Sequence, residues 1–427
     1  MLARIGTALA AALLCLGALA CGDSADTAAS SSSGGAGGAT SSSATSGSAT
    51  SASTGTGSGG DAEWTLVPWA TPGCVVEYAK KPELAFPKLE WEPCPGGEAG
   101  CERIKKNWPY EFESAFAPPG IRTMSEGWEV SMFVQYPDDE TRRAVIGANG
   151  VATAAYRYLA GNGDCLAAGN GISAEGHWVG MKHLGVAEPG RYVFQPRGAP
   201  VEQAEIVPTT QLAQYQRGGE ELLALQLDFG TGWLVYDRLT KVLHAPPPNF
   251  TAAEPRLVGG SVFWLHYPDL NKPEAWVFTR SGGFSQLIDR NPGHVLAVQA
   301  DGVDLVWIES PPTPTPGAWP IAGTLMRSPF ATTAAEVTGS AVRAMPPLAP
   351  GMSGALGDGY FAIGSTDTEN LVVRLSDGVL WTVNLPAQDG SYLHGINHLD
   401  ATYLFFKSKH HIYRQRLDQL GPGQPAN

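Results

Sequence analysis

Stretches without glycine or proline are short in this sequence, which has 52 Gly and 33 Pro among 427 residues. Because both residues interrupt helices, long helices have little room. Charge is also scarce, since charged residues make up 16% of the chain and the formal net charge is −13. Phosphate binding relies on clustered Lys and Arg, so this balance argues against a nucleic-acid partner.

The apolar run at the start of the chain is too short to span a bilayer. Arg4 precedes mostly apolar residues from Ile5 to Ala20, whereas a spanning helix needs about 20 apolar residues. One positive charge, a short apolar core and a small residue before the cut are typical of a secretory signal. Residues 1–20 are therefore predicted to be a signal peptide.

Residues 18–21, with the sequence ALAC, resemble the signal of bacterial lipoproteins. In that family the cysteine after the cut carries acyl chains, so the resemblance implies a lipid anchor on Cys21. It also implies a bacterial source. Because Gly22 lacks the Asp that in some bacteria holds lipoproteins at the inner membrane, an outer-membrane address, facing the periplasm or the outside, is favoured. Ala18 departs from the pattern, which favours Leu. Cleavage by ordinary signal peptidase, without lipid, is the alternative.

The residues after Cys21 are predicted to form a disordered tether, residues 21–62. Every residue from Thr27 to Gly60 is Ala, Ser, Thr or Gly. These residues bury too little apolar surface to offset the entropy of ordering the chain. A Gly/Ser-rich chain of this length has a root-mean-square reach of about 30 Å, which suits a tether between a membrane and a folded domain.

Cysteine is rare, and its use agrees with export. Apart from Cys15 in the signal and Cys21, four cysteines remain, which allow three disulfide pairings. The turn sequence PCPGGEAGC favours Cys94–Cys101, which leaves Cys74–Cys165 as the second bridge. No CxxC-like pair with matching partners exists, so no metal site is predicted.

A repeated rhythm of short apolar bursts and turns begins after Gly120. Equivalent turn positions at Gly259, Asp301, Asp358 and Asp400 fall 42, 57 and 42 residues apart. Periods of about 40–50 residues with four short strands each are typical of β-propeller blades. The sequence therefore predicts an all-β fold, a propeller of six or seven four-stranded antiparallel blades over residues 121–420. Residues 63–120 are predicted to be an opening segment packed on it, and a pair of β-sandwiches is the alternative.

The rhythm also resembles the propeller repeats common in secreted bacterial lipoproteins, most clearly at LMRSPF, over about residues 150–418. The segment VGGSVFWLHYPDLNKPEAW resembles a kelch repeat, although the other units lack its double glycine. Such a resemblance implies an architecture and does not select a function. Aromatic residues in the bursts are expected to pack between blades; they are Trp233, Trp264, Trp276, Trp307, Tyr360 and Tyr403.

Motifs of catalysis are not found in the sequence. GTGSGG at residues 55–60 matches the glycine pattern of a dinucleotide-binding fingerprint, but it lies in the predicted tether, without the strand and helix that such a site needs. The sequence contains no nucleophile elbow, zinc-protease motif or P-loop. His394 and His398 are interpreted as ordinary strand or loop residues, and residues 409–411 as an exposed turn. No catalytic residue and no cofactor is therefore assigned.

Two classes of function fit these features of the sequence. The first is a membrane-anchored, non-catalytic binding or scaffold module whose loops recognise a protein, peptide or glycan. The long connections PDLNKPEAW and SPPTPTPGAW would build its aromatic rim. The second is an envelope enzyme on the same scaffold that acts on glycans or lactones. Its catalytic residues would come from different blades and leave no contiguous motif.

Overall fold

A computed structural model gives the fold within residues 59–427. The structure describes residues 64–66, 74–105, 120–124, 127–134, 140–160, 165–173, 176–183, 191–196, 205–207, 215–218, 221–228, 232–252, 255–268, 273–289, 293–312, 323–348, 354–364, 369–384, 395–407 and 411–425. The predicted signal peptide, Cys21 and the tether lie outside these residues.

The described residues are almost entirely in short strands. In chain order the strands are β1 (Trp64–Leu66), β2 (Cys74–Ala79), β3 (Trp91–Pro93), β4 (Cys101–Ile104), β5 (Gly120–Met124), β6 (Gly127–Val134), β7 (Glu140–Gly147), β8 (Ala152–Ala160), β9 (Cys165–Ser173), β10 (Gly176–His183), β11 (Arg191–Pro196), β12 (Glu205–Val207), β13 (Tyr215–Gly218), β14 (Leu222–Asp228), β15 (Gly232–Asp237), β16 (Val242–His244), β17 (Arg256–Val258), β18 (Ser261–His266), β19 (Glu274–Thr279), β20 (Gly283–Ile288), β21 (His294–Ala300), β22 (Asp304–Ser310), β23 (Gly323–Pro329), β24 (Val342–Leu348), β25 (Gly354–Gly357), β26 (Tyr360–Gly364), β27 (Glu369–Arg374), β28 (Leu380–Asn384), β29 (Gly395–Leu399), β30 (Tyr403–Lys407) and β31 (Ile412–Arg416).

Helices are short within the ranges given above. They are α1 (Pro82–Ala85), α2 (Ala334–Ser340) and a single 3-10 turn (Leu417–Gln419). Thr333 caps α2, because its side-chain oxygen accepts a hydrogen bond from the backbone N–H of Glu336. No helix of the described residues is long and apolar enough to cross a membrane.

Within the described part of the chain the strands form seven antiparallel sheets, which are the blades of a β-propeller. We number them along the chain: blade 1 contains β5–β8, blade 2 β9–β12, blade 3 β13–β16, blade 4 β17–β20, blade 5 β21–β24, blade 6 β25–β28 and blade 7 β29–β31. The first strands of successive blades contact one another from β9 through β13, β17, β21, β25 and β29 to β5. These first strands therefore surround the central axis, and the predicted fold class is confirmed.

The first and last blades each gain strands from the start of the chain. In blade 1, β2 pairs with β8 and β1 pairs with β2. In blade 7, β4 pairs with β31, and β3 pairs with β4. The predicted opening segment thus supplies strands to two sheets, and blade 7 joins β3 and β4 to the last strands of the chain. Such pairing closes the ring and removes the exposed edge that β31 would otherwise present.

Separate apolar clusters fill the seams between neighbouring blades. One joins Phe194 of blade 2 to Leu223 of blade 3, and another joins Phe405 of blade 7 to Val130 of blade 1. The aromatic residues that were expected to pack between blades do so, which confirms that prediction. Trp233, Trp264 and Trp307 are almost fully buried in these clusters, whereas Trp276, Tyr360 and Tyr403 are half-buried against them.

The turn positions aligned in the sequence all join the first strand of a blade to its second strand. Asp301 Oδ1 accepts hydrogen bonds from the backbone N–H groups of Val303 and Asp304, at 2.9 and 2.8 Å. Asp400 Oδ1 does the same for the backbone N–H groups of Thr402 and Tyr403 in blade 7. Short carboxylate side chains of this kind stabilise turns, so the predicted equivalence of these positions is confirmed.

Candidate functional site

The two ends of the propeller differ in their connections. Because the strands of a blade are antiparallel, the connections between strands one and two and between strands three and four share one end, which we call the turn end. In blade 4 the connections at the turn end are residues 259–260 and 280–282. The connections between strands two and three, and between blades, share the loop end. The predicted rim, PDLNKPEAW and SPPTPTPGAW, belongs to this end, and its residues 269–272 and 313–319 lie outside the described residues.

Arginines mark the end of the third strand in five successive blades. Arg238, Arg280, Arg327, Arg374 and Arg416 fall 42, 47, 47 and 42 residues apart. Arg327 forms two hydrogen bonds to the buried carboxylate of Asp304 and donates to the backbone oxygen of Leu375 in blade 6. Arg238 lies 3.7 Å from the ring centre of Phe194 in blade 2. Members of this series therefore link neighbouring blades at the turn end.

Asp237 is the buried acceptor of the link between blades 3 and 4. Arg280 Nε donates to its Oδ2 at 2.9 Å, and Arg280 also pairs with Glu221 at 2.5 Å. Burial alone would raise the pKa of Asp237, but hydrogen bonds from the backbone N–H groups of Leu239 and Thr240 and from Arg280 lower it below its ordinary value. Asp237 is thus a charged structural group at neutral pH.

The seam between blades 3 and 4 contains a chain of aromatic contacts. The ring centroids of Trp233 and Trp264 are 6.4 Å apart, and those of Trp264 and Phe284 are 5.5 Å apart. Phe278 lies 5.1 Å from Phe284 and 4.9 Å from the imidazole of His244. The contacts therefore run from the buried second strand of blade 4 to the outer strand of blade 3.

A histidine and a glutamate face each other at the loop end of this seam. His266 pairs with Glu274 in the sheet register, and its ring stacks on Phe250 at 4.7 Å. Its Nδ1 lies 2.8 Å from the backbone oxygen of Thr251, which can only accept a hydrogen bond. Nδ1 therefore carries the proton, and Nε2 is the acceptor of the neutral ring. Glu274 accepts from Trp276 Nε1 at 3.0 Å.

The outer end of the same seam opens into a cavity of about 500 Å³, which we call the rim cavity. Residues 243–247 of blade 3 and Phe278, Gly283 and Phe284 of blade 4 form its wall. The exposed part of the wall includes the rings of Pro246, Pro247 and Phe284 and the imidazole of His244, and its surface is more polar than apolar. The Nε2 atom of His244 is buried and has no hydrogen-bond partner among the described residues. The volume falls in the range of about 300–1,000 Å³ that is typical of ligand sites.

The four cysteines of the predicted disulfides have different positions in the fold. Cys94 and Cys101 form a disulfide that joins the ends of the β3–β4 hairpin, with a Cα–Cα distance of 5.4 Å. A carboxylate oxygen of Glu98 lies within 4.8 Å of both sulfur atoms, but sulfur atoms bonded to each other are not thiolate ligands for a metal. Cys74 and Cys165 lie in β2 and β9, but their side chains are outside the described residues, and that pairing stays a prediction.

The structure places two of the histidines considered above. His398 in β29 stacks on Phe405, as expected of an ordinary strand residue. His411 was expected to be exposed, and this prediction is wrong, because the residue is 6% exposed and its ring meets that of Tyr413 edge-on. His394 lies outside the described residues.

Sequence reasoning missed the rim cavity and the arginine series. The arginines had a detectable signal, because their spacing is more regular than that of the turn residues. The cavity had a weak local signal at most, in the sequence HAPPP of residues 244–248. Its other wall is about 30 residues further along the chain, and no pattern in the sequence relates the two segments.

No protein-family profile matches the sequence, and no curated protein matches it significantly. Among solved structures, a prolyl endopeptidase aligns over 81% of this chain and 53% of its own, with a TM-score of 0.43 and 12% identity. The β-propeller domain of the Trilobed protease from Pyrococcus furiosus aligns over 73% of this chain and 98% of its own, with a TM-score of 0.42 and 9% identity. An uncharacterised protein from Listeria monocytogenes EGD-e aligns over 77% of this chain and 96% of its own, with a TM-score of 0.41 and 10% identity.

The chain spans about half the length of the prolyl endopeptidase that it matches. At these TM-scores and identities, the similarities carry no argument about activity, substrate or partner. The assignment of the propeller above therefore depends on the sheet order of this chain itself.

Proposed function

We propose that the protein is a non-catalytic binding module of the bacterial cell envelope, held at the outer membrane by acyl chains on Cys21. The sequence ALAC at residues 18–21 supports the anchor, and the Ala/Ser/Thr/Gly composition up to Gly60 supports a tether. Acyl chains contribute about 0.8 kcal/mol per buried methylene, and more than one chain gives a stable anchor. The ligand is a protein, a peptide or a glycan.

The observation that carries the binding role is the chemistry of the rim cavity. Its wall presents the half-buried ring of Phe284 and two prolines beside one imidazole, a mixture of apolar and polar surface that suits recognition of a ligand with both kinds of group. The carboxylates of Asp237 and Asp304 are paired with arginines at the turn end. Those charged groups therefore stabilise the scaffold and present it as a rigid support for the cavity.

The anchor is tested by membrane fractionation of the full chain with Cys21→Ser. We expect the variant to move from the membrane fraction to the soluble fraction, because the acylated atom is removed. The matched control is Cys15→Ser, which changes the same residue type inside the signal and should leave the partition unchanged. Unchanged partition of Cys21→Ser would contradict the proposed anchor.

A further inference from the structure

The outer edge of blade 6 carries an extended segment of the chain's own C-terminal region. The backbone N–H of Leu380 in β28 donates to the oxygen of Gln424 at 2.9 Å, and the N–H of Gln424 donates back at 2.8 Å. Trp381 Nε1 donates to the backbone oxygen of Gly421 at 3.1 Å. A segment rich in glycine and proline, GPGQP at residues 421–425, thus binds a fourth strand by strand addition.

Blade 4 has the equivalent edge. In blade 6, Phe361 is the second residue of the second strand. It pairs with Val373 of the third strand, which pairs in turn with Leu380 of the fourth strand. In blade 4 the same path runs from Val262 through Phe278 to Phe284. Phe284 therefore occupies the position of Leu380. The same register turns the backbone N–H and C=O of Phe284 away from β19, toward the outer edge.

Among the described residues no segment pairs with the edge at Phe284, whereas the edge at Leu380 is covered by Gln424. Within the described ranges, β20 pairs with β19 alone and β16 with β15 alone. Both are fourth strands, and the rim cavity lies between them. Free strand edges are templates for pairing with another extended chain. The blade 4 edge thus combines unpaired backbone groups with a ring-lined cavity beside them.

We propose that this edge and the rim cavity bind an extended, proline-containing segment of another polypeptide. The segment adds as a fifth strand along β20 at Phe284 and places its proline in the rim cavity. The inference deepens the proposed binding function and depends on it, since it names the ligand class and the site. The C-terminal segment on blade 6 is the example of this binding mode within the molecule.

The cavity wall supports proline as the inserted residue. Proline rings pack well in aromatic grooves, and their fixed backbone loses little entropy on binding. Phe284, Pro246 and Pro247 provide such surfaces. His244 Nε2 has no hydrogen-bond partner within the described residues, and an imidazole nitrogen can donate to or accept from the main chain of a bound segment, according to its tautomer.

The test uses the full chain in detergent and a phage-displayed library of decapeptides with a central proline. We expect selected peptides to bind the wild-type chain and to bind Ala245→Arg at least about tenfold more weakly, which corresponds to 1.4 kcal/mol. Ala245 is exposed on the cavity wall, so the arginine blocks the cavity without entering a blade core. The matched control is Ala401→Arg, an exposed alanine in a blade 7 turn, which should bind normally.

Hydrogen exchange supplies a second measurement that needs no variant. Bound peptide should slow exchange at the outward-facing amides of Phe284 and Gln286 in the wild-type chain. Selection of no peptide, or peptides that bind Ala245→Arg as well as wild type, would overturn the inference. If peptides bind Ala245→Arg as well as wild type, the protein still has the proposed binding function, but the binding site lies elsewhere on it. Self-association that Ala245→Arg abolishes would also overturn it, because the occupant would then be a second copy.

Discussion

The seam between blades 3 and 4 and the closing blade 7 hold the ring together by different means. The seam depends on side chains: the rings of Trp233, Trp264 and Phe284, and the buried pair of Asp237 with Arg280. Blade 7 depends on backbone pairing of β4 with β31, on a disulfide and on Arg414, which lies over Trp91 and pairs with Glu102. The seam joins blades that are neighbours in the chain, whereas blade 7 joins segments that are distant in the chain.

The difference follows from the entropy of joining chain segments. Arg414 and Glu102 are 312 residues apart, so closing blade 7 orders a very long loop, at a cost that grows with the logarithm of loop length. Blades 3 and 4 are consecutive and are joined by a short connection. Side-chain packing is therefore sufficient for their seam, whereas ring closure adds a pair of strands, β3 and β4, whose hairpin is itself held by the disulfide.

The largest effect is expected from Trp264→Ala, which tests the side-chain seam. Trp264 is 1% exposed, and removing a buried aromatic side chain lowers the free energy of unfolding by about 3–5 kcal/mol. Urea unfolding followed by tryptophan fluorescence measures the change. Leu239→Ala is the control, because Leu239 is 64% exposed and its loss should change stability by about 0.5 kcal/mol or less. Equal effects of the two variants would contradict the role given to the rings.

The second largest effect is expected from the double variant Cys94→Ser and Cys101→Ser. The disulfide closes a loop with a sequence separation of 7, and restricting a loop of this size in the unfolded chain stabilises by about 2–3 kcal/mol. The difference in unfolding free energy between wild type and the double variant, both without reductant, measures this quantity. A further loss of stability when a thiol reductant is added to the double variant would report the predicted Cys74–Cys165 bridge.

This experiment also sharpens the comparison between the two seams. Distant, independent sites have additive effects, so reduction should lower the stability of Trp264→Ala by the same amount as that of wild type. A much smaller effect of reduction in Trp264→Ala would show that the two regions unfold separately.

The blades could be predicted from the sequence because their signals are local. Asp301 and Asp400 stabilise turns within their own blades, and Trp264 and Trp307 lie in apolar bursts of strand length. The closure could not be predicted. Cys101 and Gln415 face each other in the sheet, but pairing between such distant residues leaves no periodic pattern. The sequence alone therefore predicts only that the segment packs on the propeller.

The candidate site was less accessible to sequence reasoning than the fold. His244 resembles any histidine at the end of a strand, and its importance depends on Phe278 and Phe284 of the next blade. The free edge of β20 could be recognised only after the covered edge of β28 was known. Sites formed between repeats depend on their packing, and the sequence of one repeat does not contain that information.

The smallest effect is expected from Asp237→Asn, which tests the ionic part of the seam between blades 3 and 4. The asparagine oxygen can still accept from the backbone N–H of Leu239, but the charge opposite Arg280 is lost. Hydrogen bonds to charged groups contribute about 1.5–3 kcal/mol. We expect a loss of about 2 kcal/mol at pH 7, measured by urea unfolding.

The pH dependence of the same variant provides its control. The folded-state pKa of Asp237 lies below the ordinary value of 3.8, so its contribution is complete above pH 3.8 and is lost as the pH falls through the folded-state pKa. The difference between wild type and Asp237→Asn should therefore be constant from pH 7 to about pH 5 and should shrink below pH 3.8. A difference that grows on acidification would show that Asp237 is protonated in the folded seam and that Arg280 is held by Glu221 instead.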